Sequence, residues 1–212
     1  MQHLGILAYG SLISQPGPVL DAVTARRIPG VTTPFQVEFA RSSRNRGGAP
    51  TPVPVDGGGA NVAAVLLVLD ENVSLEQAKD MLWRRETHQD STAMRYPSKE
   101  NPGSNDVVIG DLEDLGGIEH VLYIELEANI PPASRTAERL ADLAIESVAA
   151  VGEEGLDGIS YLIDVKAHGV STPLMGAYEA EILRRAATKS LGAARRRVLH
   201  HRSWPPHAWA PA

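Results

Sequence analysis

The first apolar run of the chain, Ile6, Leu7 and Ala8, is unbroken and stops abruptly at Tyr9, Gly10 and Ser11. A short continuous run closed by a glycine predicts a strand buried on both faces over residues 5–12. Pro16 and Pro18 break the backbone ahead of a short segment over 19–24, and Pro29 with Gly30 predicts a further turn. Phe35, Val37 and Phe39 then alternate with Gln36, Glu38 and Ala40, the period of a half-buried strand, before a polar and basic stretch over 41–48. Pro50, Pro52 and Pro54 hold 49–55 extended and suit a sheet edge, with a turn over 56–59. Val62 and Val65 to Leu69 make 61–70 the expected centre of the sheet.

Ser74 followed three residues later by Gln77 predicts a capping box and a helix over 75–87. Residues 97–106 are rich in Pro, Gly, Ser and Asn and read as loop. Over 120–127, Val121, Tyr123 and Glu125 alternate with Leu122, Ile124 and Leu126, again strand-like. The character then changes. Leu140, Leu143, Ala144, Ser147, Val148 and Val151 recur at helical spacing over 137–151, closed by Gly152 and Gly155. Residues 157–168 fit a helix through Ile159, Leu162, Ile163 and Lys166 or a strand through Ile159, Tyr161, Ile163 and Val165; Gly169 as a C-terminal cap favours the helix. Thr172 as capping hydroxyl and Pro173 at the first position open another helix toward Ser190, interrupted by Gly192. Strands first and helices later predict an α+β fold, with a mixed, mainly antiparallel or barrel-like sheet. The expected organisation is a single domain over 1–212 with a C-terminal helical extension.

Composition narrows the chemistry. With 212 residues and 43% hydrophobic content the chain has enough apolar material for a substantial core. A formal charge of −6 argues against a nucleic-acid surface, and the basic trio Arg195, Arg196 and Arg197 is expected to complement a helix C-terminus or lie in solvent. The absence of cysteine excludes disulfides, thiolate catalysis and cysteine-ligated metals. None of the seven histidines, His200, His201 and His207 among them, falls in a zinc-protease pattern, so neither metal nor cofactor is expected. Met1 to Leu4 lack the basic and apolar regions of a secretory signal and no run approaches a membrane span, giving a cytoplasmic expectation.

One acid stands out of pattern. On the 75–87 helix, Leu75, Ala78, Leu82 and Glu86 share a stripe, with Trp83 beside Glu86. A carboxylate on an apolar stripe is expensive without a partner or a task, and burial raises a carboxyl toward the range useful for proton transfer. The alternative is that fraying at the helix end turns Glu86 into solvent or that Arg84 or Arg85 pairs with it; Arg85 is adjacent and Arg84 two away, so neither shares the helical face of Glu86 well, and a distant cation is a further option. At the other motif, Gly10 permits positive φ and a close backbone approach, so neighbouring N–H groups can face a carboxylate, with Ser11 as a further donor.

Tyr9, Gly10, Ser11 and Leu12, followed by Leu82, Trp83, Arg84, Arg85 and Glu86 and then by Arg95 and Tyr96, resemble the γ-glutamylcyclotransferase-like family, which includes a glutathione-degrading branch. The matching order covers residues 5 to 130. The basic 41–48 loop and the 97–106 insertion depart from the compact family pattern, while Tyr161 and Leu162 echo a Tyr-Leu pair of the glutathione-degrading branch. The resemblance implies a small-molecule γ-glutamyl substrate, held by Tyr9, Gly10, Ser11 and Leu12, and Glu86 as catalytic acid and base. In that reaction the substrate's own α-amine attacks its γ-carbonyl and closes 5-oxoproline, expelling the second amine. A binding or regulatory module using the same pocket without turnover is the alternative.

From the residues themselves, Arg41, Arg44 and Arg46 form a basic strip that suits either a second substrate carboxylate or a solvated loop. His88, Asp90 and Ser91 follow Glu86 too closely in sequence to suggest a triad. Gly10-Ser11 lacks the second glycine of a nucleophile elbow, and Gly57 to Gly59 lacks the lysine of a phosphate loop.

Overall fold

The strand read from the first apolar run is present as β1 (Leu4–Ala8), every residue of it buried, in a computed structural model that describes residues 4–89 and 91–200. The chain forms two compact units, each assembled from two separated stretches: residues 1–34 with 61–127, and residues 35–60 with 128–212.

The first unit is built on a five-stranded sheet. It comprises β1, β2 (Thr24–Thr32), β5 (Ala63–Leu69), β6 (Val108–Leu115) and β7 (Ile118–Glu125) in the order β2-β5-β1-β7-β6. All pairings are antiparallel except β1 with β7, so the sheet is mixed and mostly antiparallel. β1 holds the centre, not the 61–70 segment, which as β5 lies one place away between β2 and β1; both strands are apolar and paired on either side, so the apolar run alone does not decide which is central. The expected turn at Pro29 and Gly30 lies instead inside β2. An edge strand tolerates proline, and the register slips between Pro29 and Val31, where Gly30 takes φ 77°. The β6–β7 hairpin escaped the sequence reading; Gly116 and Gly117, at φ 62° and 77°, form the two-residue turn that joins the Leu115–Ile118 pair. Two helices complete the unit, α1 (Pro18–Ala22) and α2 (Leu75–Thr87).

The second unit carries a two-stranded sheet, β3 (Val37–Ser43) with β4 (Ala49–Pro54), and four helices: α3 (Ala137–Val151), α4 (Gly158–Ala167), α5 (Met175–Arg185) and α6 (Leu191–His200). Leu140, Ala144 and Val148 bury the apolar stripe of α3, which packs against β4 and the other three helices. Residues 157–168 are helical, with Asp157 capping α4 through the N–H groups of Ile159 and Ser160.

Three expectations need correction here. Glu38 and Ala40 are as buried as Val37 and Phe39, so β3 is covered on both faces at its start. The Thr172 hydroxyl does not cap α5, which begins later, at Met175; it donates to Glu38 Oε1 at 2.5 Å. Gly192 does not break the last helix but lies within α6, and the interruption falls between Arg185 and Leu191. The tail with His201, Trp204, His207 and Trp209 lies outside the described residues, as do His3 and Asp90.

Candidate active site

β1 ends at Ala8 and delivers Tyr9 in extended conformation, after which Gly10, at φ 66°, turns the chain into a 3₁₀ turn over Gly10–Leu12. The left-handed conformation required there explains the glycine. The turn is braced internally: Ile13 N–H donates to the Gly10 carbonyl at 3.2 Å and Gln15 N–H to the Ser11 carbonyl at 2.9 Å. Gly10 and Leu12 are buried, Tyr9 and Ser11 half-buried. The Tyr9 hydroxyl donates to the Ile124 carbonyl on β7, which fixes the ring across the sheet.

The second part of the site comes from α2. Both arms of the capping box are formed, Gln77 N–H to Ser74 Oγ at 3.2 Å and Ser74 N–H to Gln77 Oε1 at 2.9 Å. Ala78 and Leu82 anchor the apolar stripe with no exposure, and burying a leucine fully stabilises by about 1.5–3 kcal/mol. Glu86 continues that stripe by one turn. The helix ends at His88, which adopts a left-handed conformation at φ 53°.

Glu86 is half-buried, with 23% of its side chain exposed, and Arg85 Nη1 donates to its Oε2 at 2.7 Å. The pair with Arg85, the alternative read from the sequence, is therefore formed although the two residues do not share a helical face. Both side chains bend toward the same point, because the guanidinium is also held by the turn after β1. Arg85 Nη2 donates to Ser11 Oγ at 3.3 Å and to the Gln15 carbonyl at 2.6 Å, and Nε donates to that carbonyl at 3.1 Å. One guanidinium thus spans from the carboxylate of Glu86 to the hydroxyl of Ser11, and the two short motifs meet through it. Adjacent residues on a helix carry no spacing signal for such a meeting, so Arg85 was legible only as a possible partner of Glu86 and not as a link to the 9–12 turn.

Arg95 and Tyr96 are drawn elsewhere. Asp80, only 9% exposed, accepts the Tyr96 N–H at 2.7 Å and faces Arg95 Nη1 at 3.4 Å, while the Tyr96 hydroxyl accepts the Ile109 N–H at 3.1 Å. Asp80, Arg95 and Tyr96 line a cavity of about 790 Å³ with Glu76, Met81 and Arg84. Neither Glu86 nor the 9–12 turn lines it, so its size says nothing about the chemistry at Glu86. Arg84 Nη1 is occupied by the Met94 carbonyl at 2.9 Å.

In the second unit, Arg46 of the basic strip stacks over the Tyr161 ring, 4.4 Å from its centroid, and donates to the Leu156 carbonyl. That contact is structural. Arg195 donates to the Gly152 carbonyl at the C-terminal end of α3 and pairs with Asp157 at 2.9 Å, while Arg196 and Arg197 are exposed, so the basic trio divides between a helix end and solvent. Among the described residues no group of three or more His, Asp or Glu is placed to hold a metal ion, and no helix is long and apolar enough to cross a membrane.

Comparison of the chain with family models and with curated proteins returns no match to either.

Proposed function

We propose that the chain is a γ-glutamyl cyclotransferase, releasing an amine from γ-glutamyl amides or peptides with formation of 5-oxoproline. The observation that carries the reading is the Arg85 bridge, which brings a half-exposed carboxylate, Glu86, beside the backbone turn that starts at Gly10. Such a turn suits the α-carboxylate of a glutamyl group. The α-amine nitrogen then forms a bond to the γ-carbonyl carbon as the bond from that carbon to the leaving nitrogen breaks. Glu86 takes one proton from the α-ammonium and returns it to the departing nitrogen, and the second proton lost as the attacking nitrogen becomes the lactam N–H ends on the freed amine as its ammonium, so the reaction consumes no water. Holding the two ends of the glutamyl chain in a ring-closing conformation is the larger lever, since intramolecular orientation is worth about 7–11 kcal/mol of barrier. The cyclotransferase fold and a cytoplasmic site of action in glutathione metabolism belong to the same proposal.

The test is incubation with glutathione and a panel of γ-glutamyl amides, following 5-oxoproline. Product from at least one member, lost in Glu86→Gln, supports the reading; no product from any member overturns it. The ion pair itself favours a second reading, a non-catalytic binding module, because a cation already occupies the carboxylate. Calorimetric binding of 5-oxoproline or a γ-glutamyl amide without turnover identifies that case.

A further inference from the structure

Arg85 is held more tightly than a surface arginine paired with its neighbour. Its guanidinium makes one contact to Glu86, one to Ser11 and two to the Gln15 carbonyl, and its side chain is 18% exposed. Gln15 is itself tied to Ser11 through the backbone, so the guanidinium grips a braced turn. Successive side chains on a helix diverge by about 100°. Charge attraction alone is satisfied by many geometries of Arg85 and Glu86, whereas the two Arg85 N–H groups that donate to the Gln15 carbonyl fix one. The planar fork of arginine provides that span, and a lysine ammonium, a single point of charge, does not.

We infer that Arg85 is a positioning residue for the cyclisation, setting where the Glu86 carboxylate stands relative to the 9–12 turn. The inference rests on the cyclotransferase reading. Proton transfer works over heavy-atom separations of about 2.6–3.2 Å, and a misplacement of about 1 Å costs about 10²-fold in rate. The role is therefore expected in kcat, with substrate binding largely retained.

The experiment is steady-state 5-oxoproline formation by wild type, Arg85→Lys and Arg85→Ala, the last with and without millimolar guanidinium chloride, alongside melting curves. Arg85→Ala is expected to lose about 10²-fold in kcat with KM changed by less than about threefold, and guanidinium is expected to restore part of it. Arg85→Lys is expected to stay low despite its charge. If Arg85→Ala does not fold, Arg85→Gln is read in the same way. An active wild type with Arg85→Ala or Arg85→Lys at native kcat, or a loss confined to KM, overturns the positioning role and leaves the cyclotransferase reading standing. A wild type that forms no 5-oxoproline from any substrate overturns that reading, and this inference with it.

Discussion

Two glutamates are drawn against the apolar interior, one in each unit, and their surroundings differ. Glu38 on β3 is 2% exposed and takes its hydrogen bonds from neutral donors: the Phe39 N–H at 2.8 Å, the Thr172 hydroxyl at 2.5 Å and the Leu174 N–H at 3.0 Å. Glu86 on α2 keeps 23% of its side chain exposed and is held by a guanidinium. Glu38 joins β3 to the segment leading into α5 with both oxygens bonded, a structural task. Glu86 retains an exposed surface that a ligand can reach. Burial alone does not mark a catalytic acid; a carboxylate that is both anchored and accessible is the better candidate.

Glu86→Gln breaks this contrast most directly: it is expected to lower 5-oxoproline formation by about 10²–10⁴-fold, the range for losing a general acid–base group, with little change in melting temperature. A variant with near-native turnover refutes the assignment. Asp157→Ala asks what happens when a fully buried acid does have a cation. Asp157 caps α4 and pairs with Arg195, so its loss leaves that charge uncompensated and is expected to destabilise by about 3–5 kcal/mol in urea unfolding. For Glu38→Ala the expected loss is about 2–4 kcal/mol, from stranding the Thr172 hydroxyl and the Leu174 N–H. Any turnover lost there should scale with the unfolded fraction; a folded Glu38→Ala without activity would erase the distinction between the two acids.

The smallest effect concerns pH. Arg184, and then Arg185, hold the Glu181 carboxyl down to about 2 from its ordinary 4.5. A folded-state value below the unfolded one contributes stability that is complete above about pH 4.5 and is lost as pH falls through that value toward 2. Glu181→Gln is therefore expected to lower the melting temperature modestly at neutral pH, to converge with wild type toward pH 2, and so to flatten the acid limb of the profile below pH 4.5. An unaltered acid limb contradicts this.

Legibility in the sequence followed the physics of each element. α2 was readable because cap and stripe agree, Ser74 with Gln77 ahead of Ala78 and Leu82, and α3 because Leu140, Ala144 and Val148 keep an unbroken helical spacing; its Thr136 cap was not read. β1 was readable as an unbroken apolar run, yet its central place was not, since strand order depends on pairings that no local pattern encodes. β6 was missed because its exposed residues, Asp111, Glu113 and Asp114, dilute the alternation, although the Gly116-Gly117 turn marks the hairpin. At the candidate site Gly10 and Glu86 stood out by conformation and by pattern. The link from Arg85 to the first motif did not, because it runs through Gln15, 70 residues away.

The interleaving of the two units has a consequence for synthesis and assembly. The β3–β4 hairpin leaves the ribosome well before the segment whose Asn129 and Ile130 N–H groups donate to the Ala40 carbonyl, at 3.1 and 2.9 Å. It then waits, with Phe39 and Val53 uncovered, while the chain out to residue 127 is made. Closing so long a loop before its contacts reward it slows folding. Early termination near residue 127 would leave an apolar hairpin without its helices, a species prone to aggregate.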